Sequence, residues 1–587
     1  MKDVNEMSDQ VRGILFVIAA LIILFIWQHY FKPPAPPPEP ARPAAAQTAP
    51  AQTSAGHASG QKPPAARVAA APASPAVAQA SEEKTIVVES GLYRVEFSNR
   101  GAVVHSWTLQ KYFDDQKPPH PLDLVNSDSA QQLGWPFSLQ LADAQQTQLA
   151  NSALYQVSAT PPSPQGAGGG AAAAAPGSSP FVAPVDITFH WSDGHLDITK
   201  KLSFKSGYEM SAEVSATLDG KPVPAALAWR GGFGDKEVYK ASTLVTVFYK
   251  QGGKLNLLQY KKLGVSGNQA QAALQTGPME STGIEDQFFT AAFLPDGTDL
   301  SLWHWTENHS FTDEGKPATE PVAEMAVGST MAAPLKARIY VGPKDLDILG
   351  RLQPPLEELV QFGWTGIIAK PLLYALRWLH KYIPNYGWAI VVLTLVINFA
   401  LFPLKLKSWR SMQRMQKVAP EVRSIQDRYK KYSMSDPRKR KMNEEVMAIY
   451  QREGINPMGS CIPMLFQMPI WWALWRVLNG AIELRHAPWF GWIHDLSAKD
   501  PYYILPIAMA ITMYITTKMT PQATVDPTQQ RMTQLMPLMF AVFFFTVSSG
   551  LNLYMFTSNL VSVAQQVYLN RSDPLPDRGR FKNKKKE

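Results

Sequence analysis

Five apolar stretches crowd the carboxyl-terminal third of the chain, at Gly387–Leu404, Ile462–Leu478, Tyr502–Lys518, Leu535–Val547 and Leu551–Tyr568, and a sixth lies at Gly13–Trp27. At 1.5 Å per residue such runs approach the ~30 Å of a bilayer's hydrocarbon core, with Leu535–Val547 the shortest. The pattern reads as an α-helical polytopic membrane protein with six transmembrane helices, five of them forming one core. Hydropathy averaged over the whole chain is not strongly apolar, because a large soluble segment separates the first span from the rest.

Charge orients the spans. Between Lys405 and Glu453 there are fourteen Lys and Arg against six Asp and Glu, so this loop alone carries +8, as much as the net charge of the whole chain. The tail after Asn570 adds Arg571, Arg578, Arg580, Lys582, Lys584, Lys585 and Lys586 against three acids. Short loops rich in Lys and Arg stay in the cytoplasm. Six spans with both termini inside satisfy that requirement and place the segment after the first span, the Ala481–Asp500 loop and the Ser548–Gly550 turn outside. Met1–Arg12 carries three acids and no small-x-small cleavage site precedes the prolines from Pro33, so the first span reads as an uncleaved anchor. The single cysteine, Cys461, excludes a disulfide framework and a four-thiolate metal site; it reads as a small buried hydrophobe.

Composition then divides the chain. Residues 1–31 are the anchor, and 32–84 a Pro/Ala-rich tether that cannot bury a core and reads as disordered. Residues 85–345 switch to short alternating runs such as Tyr93–Phe97, Asp186–Trp191, Leu244–Tyr249 and Ala337–Val341, which predict an antiparallel β-sandwich with a low-complexity insert at Gly166–Pro180. Its His105, His190, His195 and His304 have no metal-like spacing and read as satisfied structural histidines. In the linker 346–384, Leu372, Leu376 and Leu379 share one helical face opposite Lys370, Arg377 and Lys381, with Trp364 and Trp378 nearby. This predicts an interfacial amphipathic helix; a soluble helix packed on the sandwich is the other reading. The five-span core covers 385–570, and 571–587 is the basic tail.

Within the core, residues 405–455 form a predicted helical hairpin. Met412, Met415, Val418, Val422, Ile425 and Tyr429 stripe one arm, which Pro420 is expected to bend or interrupt. Met442, Val446, Ile449 and Tyr450 stripe the other.

The sequence carries no Walker A loop, nucleophile elbow, zinc-ligand spacing or dinucleotide glycine motif, and the spans hold no Asp or Glu. No catalytic residue, metal or cofactor is assigned. Neutral polar groups recur at helical spacing instead: Thr394 and Asn398 one turn apart, and Tyr554, Ser558 and Gln565 within about 40° on the last span. Gln467-Met468-Pro469 opens another span, where the proline frees a backbone carbonyl. These faces either line a wet polar groove or make ordinary interhelical hydrogen bonds, worth ~0.6 kcal/mol each.

Ile455–Ile470 (INPMGSCIPMLFQMPI), Trp492–Pro506 (WIHDLSAKDPYYILP) and Ser549–Tyr554 (SGLNLY) resemble the YidC family of bacterial membrane protein insertases. The resemblance is strongest over residues 355–570 and extends to the layout of the whole chain. It implies a bacterial inner-membrane protein with a large periplasmic domain. Such a protein inserts and helps fold nascent membrane proteins through a hydrophilic groove open to cytosol and lipid, alone or with the Sec translocon, and needs no second copy. The implied groove residues are Thr394, Asn398, Gln467, Met468, Pro469, Tyr554, Met555 and Ser558. Arg438, Lys439, Arg440, Lys441, Lys582, Lys584, Lys585 and Lys586 are the implied contacts to ribosome and targeting factors, beside the lipid bilayer itself. Two departures stand out: Asn398 occupies a position where the family commonly places arginine, and Tyr554-Met555 replaces a frequent tyrosine pair. Arg476 is a candidate compensating charge, though snorkelling to the outer interface accounts for it better; Lys405 and Lys407 at the inner rim are alternatives. The expectation is a groove that is polar but neutral at its centre. The rival readings are a transporter or channel using the same helix faces, and an envelope enzyme or sugar-binding protein acting through the sandwich.

Overall fold

The computed structural model describes residues 77–160, 180–236, 244–265, 272–313, 316–330, 333–432, 436–455, 462–520 and 542–572. The anchor span, most of the tether, the low-complexity insert, Cys461, most of the Leu535–Val547 span and the basic tail with Lys582, Lys584, Lys585 and Lys586 lie outside the described residues.

Alternation of apolar and polar residues builds the amino-terminal region as strands. Val185, Ile187, Phe189 and Trp191 point inward from one strand, and Leu196, Ile198, Leu202 and Phe204 from its antiparallel neighbour. Among the described residues the strands form three sheets. The largest runs, edge to edge, through Lys254–Gln259, Thr246–Gln251, Met279–Glu285, Phe289–Pro295, Leu335–Pro343, Glu209–Leu218, Leu196–Phe204, Val185–Ser192 and Gln156–Thr160. A five-stranded sheet centred on Tyr93–Ser98 and a six-stranded one centred on Lys316–Ser329 cover it. The pairing departs from the expected all-antiparallel pattern twice, since Thr85–Glu89 pairs with Phe181–Val182 and Gly264–Val265 with Leu300–Asp313 in parallel. The domain also begins before residue 85. Ala78 bridges Ser192 and the Ala80 amide donates to the Leu154 carbonyl at 3.0 Å, so the end of the tether is pinned to the sheet.

Strand alternation also turns one charge inward. Lys200 is fully buried, and its ammonium donates to the carbonyls of Gly101, Ala102 and Phe137 at 2.7, 3.0 and 2.8 Å. These carbonyls lie in turns where Gly101, Ala102 and Phe137 all take positive φ, so no ladder partner reaches them. Of the histidines, His190 and His195 are satisfied by Asp197 and Asp219 at 3.0 and 2.9 Å. His304 departs from expectation: it is buried with neither ring nitrogen hydrogen-bonded among the described residues, and burial lowers its pKa, which favours the neutral ring.

Helices follow: α1 (Gly366–Tyr382), α2 (Tyr386–Ala400), α3 (Phe402–Arg428), α4 (Pro437–Arg452), α5 (Ile462–Gly480), α6 (Ile504–Met519) and α7 (Ser549–Ser572). No single helix among the described residues is long and apolar enough to cross a membrane; α2 and α3, bent by 51° where they meet, pass that test together. Pro403 sits in the first turn of α3, where its missing N–H cannot bond back to Phe399, and this sets the break. α7 packs against α6, α2 and α5, and α1 against α5 and α2. α1 buries Ala369, Leu373 and Leu376 while leaving Trp364 and Trp378 largely exposed. α3 and α4 pair through Met415, Val418, Val422, Ile425 and Ile449, flanked by Met412, Tyr429, Met442, Val446 and Tyr450. Pro420 does not interrupt the arm as expected; α3 runs through it, held by Val418 and Val422 against α4.

Sandwich and helices share one continuous core. At the junction, Arg485 Nε and Nη2 donate to Asp235 Oδ2 at 2.9 and 2.7 Å, with each side chain only 3% exposed. Gln287 donates to the Asn479 carbonyl at 2.7 Å, His486 meets Asp115 at 2.8 Å, and Arg377 joins Asp345, Asp347 and Glu483. Removing one partner of a buried pair strands the other charge, which costs about 3–5 kcal/mol. Asp235→Ala is therefore expected to release amide protection at both Phe233–Asp235 and Ile482–Arg485, read by hydrogen–deuterium exchange; protection unchanged at both would show that the pair does not hold the junction.

A second prediction concerns pH. Glu324 is fully buried, accepts from Gly231 N, Arg230 Nε and Trp305 Nε1 at 2.9, 3.1 and 2.7 Å, and burial pushes its carboxyl from 4.5 up to about 7. A raised acid favours the folded state fully below the unfolded value and loses that contribution as pH climbs through the folded one. The sandwich should lose roughly 3 kcal/mol between pH 4.5 and 7 from this group. Glu324→Gln should flatten the dependence of its thermal midpoint over that window.

Candidate functional site

The break between α2 and α3 swings Lys405 back over the last turn of α2. Its ammonium donates to Asn398 Oδ1 at 2.9 Å, Gln565 Oε1 at 3.1 Å and Ser562 Oγ at 3.2 Å, joining α2, α3 and α7. Asn398, only 1% exposed, is the hub. Its Nδ2 donates to the Thr394 carbonyl at 2.9 Å and to Ser558 Oγ at 3.2 Å, and Gln565 Nε2 donates to its backbone carbonyl at 3.3 Å. Thr394, also buried, sends its hydroxyl back to the Ile390 carbonyl at 2.6 Å. One turn outward along α7, the buried Tyr554 hydroxyl accepts from Gln467 Nε2 at 3.2 Å, which ties α5 into the same seam.

The seam gathers Thr394, Asn398, Gln467, Tyr554 and Ser558. Met468 is 43% exposed beside Gln467, Pro469 lies within α5 without ending it, and Met555 is half-buried against the core. Arg476 is exposed on α5. The cation at this cluster is Lys405 rather than Arg476, so the expected neutral centre is replaced by one ammonium shared among three side-chain oxygens. Ser562 was missed in sequence, although its four-residue step from Ser558 extends the same helical face.

At the opposite end of the described helices the Ala481–Asp500 loop packs tightly. Trp489 lies so near α2 that a Cβ on Gly387 would stand 2.2 Å from its ring, and the Gly550 amide donates to the Leu496 carbonyl at 2.7 Å. Asp500, 1% exposed, accepts from Trp492 Nε1, Tyr502 N and Leu505 N at 3.0, 3.0 and 2.7 Å. The loop from Ala481 to Asp500 thus caps the helices with satisfied backbone, while polar side chains collect at the other end.

Away from the bundle, Arg438, Lys439, Arg440 and Lys441 form the first turn of α4 behind the Asp436 cap, and Arg438 lies 3.9 Å over the Tyr432 ring. Four successive cations at a helix amino terminus oppose its macrodipole by about 0.3–1 kcal/mol each.

Residues 85–375 match the family described as YidC periplasmic domain, and residues 378–575 the family described as 60Kd inner membrane protein. The Membrane protein insertase YidC of Geobacter sp. (strain M21) is 32% identical over 494 residues, covering 83% of this chain and 86% of its own length. The protein of that name from Methylobacillus flagellatus is 32% identical over 586 residues, covering 96% of this chain and 97% of its own. A solved structure described as an active YidC insertase with its first transmembrane domain resolved shares 18% identity, covers 84% of this chain and 95% of that one, and superposes with a TM-score of 0.34. By its sequence relatives, the chain belongs to the YidC family of membrane protein insertases.

Proposed function

We propose that this insertase moves the polar flank of a nascent membrane protein along the seam of α2, α3, α5 and α7, with Lys405 as its fixed charge. The observation that carries the reading is the cluster of Lys405, Asn398, Ser558, Ser562 and Gln565 where α2, α3 and α7 meet. A charge at the centre of a bilayer costs ~2.5–3.5 kcal/mol even on insertion scales. Hydrogen-bonding groups that exchange partners with an entering segment lower that cost, while the adjoining apolar segment slides past the exposed Met468 toward lipid. The work is physical: no covalent bond changes, so no catalytic residue or cofactor is required.

The proposed topology has six spans in the bacterial inner membrane, with both termini and the α3–α4 hairpin in the cytoplasm and the sandwich in the periplasm. α1 then lies at the outer interface, with Trp364 and Trp378 toward lipid headgroups. The capped end faces outward, which suits a path that admits polar segments from the cytoplasm without opening a pore. The cation run on α4 and the basic tail supply phosphate-binding charge for a ribosome, a role that explains positive charge where helix electrostatics disfavours it. One copy of the chain contains the whole seam, and the Sec translocon is a proposed partner for longer substrates.

In proteoliposomes, Asn398→Ala and Lys405→Gln should each cut insertion of a single-span substrate with an acidic flank by roughly tenfold, equivalent to about 1.4 kcal/mol. Arg476→Gln should leave it near wild type; the reverse ranking would contradict the proposed path. A photocrosslinking residue at Met468 should capture the span of a ribosome-bound nascent chain, and failure with ribosomes bound and protein folded would remove α5 from that path.

A further inference from the structure

The junction that holds Arg485 against Asp235 also brings three metal-ligating side chains together. Asp115 follows the strand Val103–Phe113 of the sandwich, while His486 and Asp495 lie on the Ala481–Asp500 loop. One ligand atom from each stands within 4.8 Å of the other two. His486 Nε2 and Asp115 Oδ1 are 2.8 Å apart. All three residues are positioned from outside the cluster. Asp114 accepts from the Gln116 and His120 amides at 3.3 and 2.8 Å, which pins the turn carrying Asp115. Ser497 donates through its amide and its hydroxyl to Asp495 Oδ1 at 2.7 and 2.8 Å. His486 follows the locked Arg485 and takes φ 56°, a left-handed backbone that residues with side chains rarely adopt.

An ion pair between His486 and Asp115 accounts for two of these groups and leaves the third unexplained. Nε2 carries at most one proton, which serves one carboxylate, and a second carboxylate this near adds a like charge. A divalent cation satisfies the whole set, since two carboxylates cancel its charge and the imidazole supplies a nitrogen. Metal–ligand bonds of ~2.0–2.2 Å put neighbouring ligand atoms roughly 3–4 Å apart, so the cluster needs shifts on the order of 1 Å to close on an ion. Imidazole mixed with carboxylates suits zinc, whereas magnesium and calcium favour shells of oxygen alone. The Ser497 bonds to Asp495 are the kind of outer support that orients a ligating carboxylate. Asp115 is 62% exposed at its side chain, which gives an ion a way in and water a place to complete its shell. We propose that Asp115, His486 and Asp495 bind one zinc-class divalent cation, which staples the sandwich to the Ala481–Asp500 loop. On binding, any proton on Nε2 leaves to solvent and the ring keeps its other proton on Nδ1.

The test uses the full chain in nanodiscs, stripped with a chelator and dialysed against zinc chloride with about 1 mM magnesium present to occupy oxygen-only sites. Bound zinc is counted by mass spectrometry. The expected result is one equivalent, with a Kd of about 1 μM, that is missing from both Asp115→Asn and His486→Gln. Zinc should also slow amide exchange at residues 113–116 and 485–495 together in the wild-type chain, and at neither segment in Asp115→Asn. The exposed Asp115→Asn change keeps the test decisive if His486→Gln fails to fold. Equal zinc content in the wild-type chain and folded Asp115→Asn, or no zinc bound below about 100 μM, would overturn the proposal.

Discussion

A single ammonium group organises the polar heart of this protein. Lys405 follows Pro403 at the 51° break between α2 and α3, and its ammonium donates to Asn398, Ser562 and Gln565. Each hydrogen bond between helices is individually modest, but these share partners, so removing one member leaves others unpaired in a low-dielectric setting. Among the described residues every oxygen that accepts from the charge is neutral and none is a carboxylate, so hydrogen bonds alone replace its hydration. The arrangement is also open to exchange, since a neutral oxygen releases an ammonium more readily than a carboxylate would.

This seam has a fixed ceiling. The loop from Ala481 to Asp500 packs over the far end of α2 and α7 through backbone hydrogen bonds and a tryptophan wedged against Gly387. The same loop reaches the sandwich junction, where its Arg485 is locked to Asp235. The large amino-terminal domain therefore braces the capped end, and the polar end remains the one with groups to offer. An asymmetric bundle of this kind suits one-sided entry better than conduction through the membrane.

Much of this was legible locally. Alternation marked Val185–Ser192 and its neighbours as strands, and the stripes on both hairpin arms matched the residues that pack α3 on α4. Helical spacing put Ser558 and Gln565 on one face of α7 and Thr394 and Asn398 on one face of α2, and those faces meet. Three things were not legible. Pro420 was expected to bend or interrupt α3; the helix is not interrupted there, where Val418 and Val422 pack on either side of it. Lys405 was named only as an alternative to Arg476, and its contact with Asn398 across the 51° bend was not foreseen. The Asp235–Arg485 pair spans 250 residues, and no local pattern reports such a contact.

The central claim is that the Lys405 seam is open to water from the cytoplasmic side while the outer end is sealed. A membrane-impermeant maleimide applied to inverted vesicles tests it, using single cysteines Ser562→Cys and Leu551→Cys in a Cys461→Ser background. The account predicts rapid labelling at position 562 and none at 551, which is fully buried beneath the outer loop. Equal protection at both positions would mean that the seam is closed helix packing and not a path for substrate.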